Sequence, residues 1–233
     1  NLFNDYYDVK DGTDGANTEY FNAGLNSTVL EGAQLSGGSR AVELGLITHT
    51  GTLSLARKML FGVLLVTGLL LYNSFLVTGE FTNAQNALII GVIGGLLGYF
   101  YTARPIRLVS RRGLGEIAIF FAFGPVLTLG ALFAISSNTI ELFSNEFYNA
   151  IYLGIPFGFL TTNILYINQY PDTVSDATTG KNHLIVTLGK KNARWGYLLI
   201  LSAAFGSSIY MTDIFTDNLL NFNKNIFYAG NAI

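Results

Sequence analysis

Five stretches of the chain, at residues 55–77, 84–103, 114–136, 147–168 and 193–213, are almost wholly apolar, and each is about as long as the ~20 residues a helix needs to cross a bilayer. A soluble amphipathic helix shows polar residues every third or fourth position, and MLFGVLLVTGLLLYNSFLV has no such face. The tail from Asn218 reads as the start of a sixth run. Charged residues are only 12% of the chain, about half the share of an ordinary soluble domain. The predicted fold class is therefore all-α, a multi-span transmembrane helical bundle, read as a single domain over residues 1–233 with a cap formed by its inter-helix loops.

Threading the five runs in order puts residues 1–54, 104–113 and 169–192, with the adjoining helix ends, on one side of the membrane. Lys10, Arg40, Arg57, Lys58, Arg104, Arg107, Arg111, Arg112, Lys181, Lys190, Lys191 and Arg194 fall on that side. Those are all of the 13 Lys and Arg except Lys224, so the positive-inside rule makes the side cytoplasmic and the protein an integral protein of the cell (inner) membrane. A net charge of −2 gives no footing for nucleic acid. The chain has no cysteine, which excludes disulfides and thiolate metal sites and leaves oxygen ligands. It opens on Asn1 with no signal-peptide pattern and reads as a fragment of something longer.

Against this scarcity of charge, NLFNDYYDVKDGTD gathers Asp5, Asp8, Asp11 and Asp14 in one short stretch. Asn4 and Asp8 are four apart and share a helix face, with Asp5 adjacent; the helix is expected to give way at Gly12. A second cluster follows the fourth run in YINQYPDTVSDATTGKNHLIVTLGKK, where Asn168, Asp172 and Asp176 repeat at the same spacing and Pro171 is expected to kink or unwind the helix. Carboxylates crowded at a membrane boundary repel one another and lose hydration, so a cation must offset them. Oxygen-only donors favour Mg²⁺, commonly held by one or two carboxylates plus substrate phosphates. Asn4, Asp5, Asp8, Asp14, Asn168, Asp172 and Asp176 are the candidate metal ligands.

Arg40, Arg107, Arg111, Arg112 and Lys181 are candidate partners for phosphate oxygens, with Arg40 and Lys181 expected to face the site. His183 follows Lys181 as a proton carrier or a structural histidine; His49 carries no signal. The Gly-, Asn-, Ser- and Thr-rich connection within residues 9–54 reads as a lid, and AQLSGGSRAVELGLIT in it as a short helix behind Gly-Gly. A transporter also places acids and Gly-rich helices such as GVIGGLLGYF in a bundle, but its site usually lies near the midplane, where these runs carry no charge. A scaffold protein would have no use for two metal-binding patterns.

NDYYD at 4–8 and DTVSD at 172–176 resemble the paired Asn-Asp-x-x-Asp and Asp-x-x-x-Asp motifs of the UbiA superfamily of intramembrane prenyltransferases. NDYYDVKDGTD, YTARPIRLVSRRGLGEIAIFFAFGP and NQYPDTVSDATTGKNHLIVTLGKK are similar to the menaquinone-type branch. The resemblance implies Mg²⁺-dependent transfer from a polyprenyl diphosphate to an aromatic acceptor, 1,4-dihydroxy-2-naphthoate, or in other branches 4-hydroxybenzoate, homogentisate or a glycerol phosphate lipid. It implies nine membrane helices, of which the first and last are missing here, and a diphosphate clamped through metal by Asn4, Asp8, Asp172 and Asp176. Asp8, Asp172, Asp176 and Lys181 take the catalytic roles. Arg40, Arg107, Arg111 and Lys181 are set to bind substrate, and Tyr99, Tyr101 and Tyr166 to face an allylic cation. Where some branches carry a further aspartate this chain has Gly12, flanked by Asp11 and Asp14, and the choice between these two is open.

Overall fold

A computed structural model describes residues 2–12, 41–42 and 45–230, with side chains as far as Met211. All regular structure among these residues is helical. The helices are α1 (Leu2–Lys10), α2 (His49–Thr78), α3 (Thr82–Thr102), α4 (Leu114–Phe123), α5 (Pro125–Ile135), α6 (Asn145–Asn168), α7 (Thr173–Thr178), α8 (Leu184–Leu188) and α9 (Lys190–Gly230), with a 3₁₀ turn at Leu108–Ser110. Four segments, α2, α3, α4 with α5, and α6, are long and apolar enough to cross a membrane. Many of their large apolar side chains point outward, among them Leu64, Leu69, Leu127 and Ile164. Outside is where the hydrocarbon lies, so apolar side chains face outward as well as into the bundle.

Local chemistry sets the helix ends. Thr48 caps α2, its hydroxyl accepting from Gly51 N–H at 3.0 Å, and Gly79 stops that helix at φ 74°, a left-handed conformation that glycine adopts without strain. Ser144 caps α6 in the same way. The third apolar run is broken where one helix is expected. Gly124 leaves helical geometry and Pro125, which has no N–H to donate, starts α5. Gly154 and Gly158 of α6 pack against this break so closely that a Cβ on Gly154 would lie 2.6 Å from the Gly124 carbonyl carbon. Small residues here let backbones touch, a packing that suits helices in lipid.

The fifth run lies within α9, and the tail expected to begin a sixth continues α9 as far as Gly230. Residues 49–54, assigned to the lid from sequence, belong to α2. The short helix expected in AQLSGGSRAVELGLIT is absent from its described residues, which turn at Gly45; the rest of that stretch and most of the lid lie outside the described residues.

Each end of the bundle has its own tie. At one, Asn83 donates to Asn138 O at 2.9 Å and accepts from Ile140 N at 2.8 Å, above a core of Ala87, Leu129, Phe133 and Ala150. The other end gathers α1, the loop after α3, α7 and α8.

Candidate active site

Asn4 and Asp8 stand one turn apart on α1, and Asn4 Nδ2 donates to Asp8 Oδ2 at 2.8 Å. α6 ends at Asn168, and the chain unwinds through Tyr170 and Pro171 to Asp172, which stands immediately before α7. The expected ladder is thus split between two helices, as the proline requires, and Asp176 falls in the first turn of the second. Lys181 joins the two clusters: its ammonium lies 2.8 Å from Asp8 Oδ1 and 3.7 Å from Asp176 Oδ1. Burial pushes the Asp8 carboxyl above its ordinary range, and Lys181 and Asn4 offset only part of that cost.

These groups form the polar end of one cavity of about 720 Å³, lined there by Asn4, Asp8, Asn168, Asp172, Asp176 and Lys181. The remainder is lined largely by apolar residues of α3 and α4, from Thr102 back to Val92 and from Ala118 to Phe123. At 1.5 Å per residue the ten steps from Val92 to Thr102 carry it roughly 15 Å along the bundle. The shape suits a ligand with an ionic head and a hydrocarbon tail.

Tyr101 and Tyr99 line the cavity, whereas Tyr166 departs from its expected role. It is completely buried, its hydroxyl donates to Ala193 O at 2.9 Å, and its ring end sits against Gly196, so it belongs to the α6–α9 seam. Asp5 lies on α1 and is not among the lining residues.

Arg107 and Arg111 are engaged elsewhere too. Arg107 pairs with Asp11 at 3.1 Å and donates to Thr179 O at 3.4 Å, while Arg111 donates to Ile106 O at 2.6 Å and braces its own loop. Arg104 also pairs with Asp11, at 3.2 Å. Asp11 thus meets two guanidiniums. Asp14 and Arg40 lie outside the described residues.

Two positions carry more than their sequence signal allows. His183 is completely buried, with Nε2 3.1 Å from Asp176 Oδ2. Glu116, in the first turn of α4, is also buried and accepts from Leu184 N–H at 3.0 Å. An acid inside a membrane run was the legible clue to Glu116; its partner was not legible.

Among the described residues no three acidic or histidine side chains converge closely enough to hold an ion unaided. Aspartate and asparagine oxygens facing one cavity nevertheless fit a hard dication whose remaining ligands come from a bound phosphate. The Lys181 ammonium already sits between two of the carboxylates as a positive charge does there.

Residues 46–222 match the UbiA prenyltransferase family, a segment that takes in α2 to α8 and the second acidic cluster.

The chain belongs to the UbiA prenyltransferase family.

Among curated relatives, it is 29% identical over 208 residues to the chloroplastic 2-carboxy-1,4-naphthoquinone phytyltransferase of Arabidopsis thaliana, covering 87% of this chain and 46% of that protein. It is 26% identical over 205 residues to the 1,4-dihydroxy-2-naphthoate octaprenyltransferase of Bacillus subtilis (strain 168), covering 88% and 54%. It is 32% identical over 113 residues to UbiA prenyltransferase domain-containing protein 1 of Dictyostelium discoideum, covering 48% and 32%. The chain thus spans from about a third to about half the length of these UbiA relatives. No solved structure matches it at a significant level.

Proposed function

We propose that the protein transfers a polyprenyl group from a polyprenyl diphosphate to an aromatic acceptor, 1,4-dihydroxy-2-naphthoate, at the inner membrane with its polar site facing the cytoplasm. The observation that carries this reading is the single cavity in which both acidic motifs meet at one end and an apolar arm leads away from it. Naphthoate is supported by the names of the Arabidopsis and Bacillus relatives, and the orientation by the placement of the basic residues.

In this reading the diphosphate lies at the polar end and the isoprenoid chain in the apolar arm. Asn4, Asp8, Asp172 and Asp176 would hold Mg²⁺, which when bound neutralises diphosphate charge and so favours its departure. Lys181, beside Asp8 and Asp176, turns to a diphosphate oxygen and supplies a positive charge where negative charge grows. The allylic C–O bond breaks with its electron pair going to the diphosphate; a ring carbon of the acceptor forms the new C–C bond, and the carboxylate at that carbon leaves as CO₂. The cavity walls shield the cation from water, and the face of Tyr101 stabilises it. Arg107 and Arg111 shape the loop beside the site, consistent with their contacts to Thr179 and Ile106.

Membranes bearing the full-length protein, given labelled geranylgeranyl diphosphate, Mg²⁺ and a panel of dihydroxynaphthoate, 4-hydroxybenzoate, homogentisate and a glycerol phosphate lipid, should yield a prenylated naphthol. Another product renames the acceptor. Turnover that survives EDTA, or Asp8→Ala and Asp172→Ala variants as active as wild type, overturns the reading.

A further inference from the structure

Leu184 is the first residue of α8, and the N–H groups that open a helix have no partner within it. His183, immediately before it, offers no side-chain cap. The Leu184 N–H is instead taken by Glu116 Oε1 at 3.0 Å, from a helix 68 residues away in sequence. Glu116 is itself held. It stands in the first turn of α4, where the helix dipole favours an acid, and its carbonyl accepts from Thr162 of α6 at 3.4 Å.

This contact ties α4 to the segment carrying both groups that grip Asp176, a segment also held by the Lys181 N–H on Asp176 O at 2.9 Å and by the buried Ile185. His183 Nε2 is 3.1 Å from Asp176 Oδ2, and Lys181 Nζ is 3.7 Å from Oδ1, each addressing a different oxygen. Lys181 then continues to Asp8 at 2.8 Å. A continuous path therefore runs from α4 through the start of α8 to the second acidic motif and on to the first. Glu116 itself is not among the residues lining the cavity.

We propose that Glu116 is a positioning residue for the second acidic motif: by capping Leu184 it sets His183, and His183 holds Asp176 in the orientation that faces the cavity. The inference rests on the function proposed above, because Asp176 needs aiming only if it serves a cation and a diphosphate. His183 is the partner one step removed from the ligating group, and loss of such a partner typically changes metal affinity or activity about 10–100-fold; Glu116 acts through it, so that range is the ceiling for its effect.

The test uses full-length protein in detergent and measures Mn²⁺ binding in the presence of inorganic pyrophosphate by electron paramagnetic resonance, alongside KM for geranylgeranyl diphosphate. E116A should weaken Mn²⁺ binding up to about 10-fold, the lower end of the range for a direct partner, and raise KM more than it lowers kcat. E116Q, whose amide oxygen still accepts from Leu184, should restore binding to near the wild-type value. Leu184→Pro removes the donor at a position where helices tolerate proline, and should match E116A. Combining E116A with D176N should weaken binding no further than D176N alone, since both act through one carboxylate. Wild-type binding in E116A or L184P, or losses that multiply in the double variant, overturns the role of Glu116 alone; a wild type that takes up no Mn²⁺ with pyrophosphate overturns the function reading with it.

Discussion

The ammonium of Lys181 lies 2.8 Å from Asp8, joining the first helix of the chain to the segment before α8. Both side chains are buried, so this pair bears on stability as well as on substrate. Taking one member from a buried ion pair strands the other and typically costs about 3–5 kcal/mol. Lys181→Met should therefore lower the thermal midpoint of the detergent-solubilised protein, and added Mg²⁺ with pyrophosphate should recover part of the loss. A variant as stable as wild type without ligand would show that the pair contributes nothing.

Asp8 and Asp11 stand three residues apart with opposite commitments. Asp8 lines the cavity, while Asp11 is held by Arg104 at 3.2 Å and Arg107 at 3.1 Å. Asp8→Ala should lower turnover roughly a hundredfold or more, the scale on which loss of one fixed electrostatic group is felt. Asp11→Asn should keep most of its turnover. Equal losses would place Asp11 among the ligands.

Tyr166 serves the α6–α9 seam. Tyr166→Phe removes the bond to Ala193 O and should destabilise the protein by about 1 kcal/mol, read as a small drop in thermal midpoint at unchanged KM for the prenyl donor. A raised KM with unchanged stability would return the ring to the substrate.

Gly154 faces the break between α4 and α5 with no room for a side chain, its Cβ position being 2.6 Å from Pro125 N. Gly154→Val should force α6 away from α4 and α5 and reduce the folded, membrane-extracted yield, whereas Gly95→Ala, where an added Cβ meets open space, should fold normally. Comparable yields from the two would show that the close approach is not needed.

Much of this protein is legible in one dimension because the bilayer imposes a simple rule. Apolar runs near twenty residues must be helices, and the proline after Asn168 had to interrupt the second acidic repeat. The two acidic motifs were readable as unusual expenditure of charge in a chain that has little. What could not be read was which charges neutralise each other: Arg107 and Lys181 look alike in sequence, yet one meets Asp11 and the other spans Asp8 and Asp176. Nor does any local pattern distinguish Tyr101, which reaches the cavity, from Tyr166, which turns into a helix seam.

Composition and spacing alone determine that this is a helical membrane protein with two clusters of carboxylates, since burial in lipid and helical periodicity are local properties of a chain. Only the tertiary structure decides that the clusters share one cavity, that Lys181 bridges them, and that Glu116 anchors the segment that holds Asp176. Those relations join residues far apart in sequence, and their geometry is set by how helices pack, which no stretch of residues carries by itself.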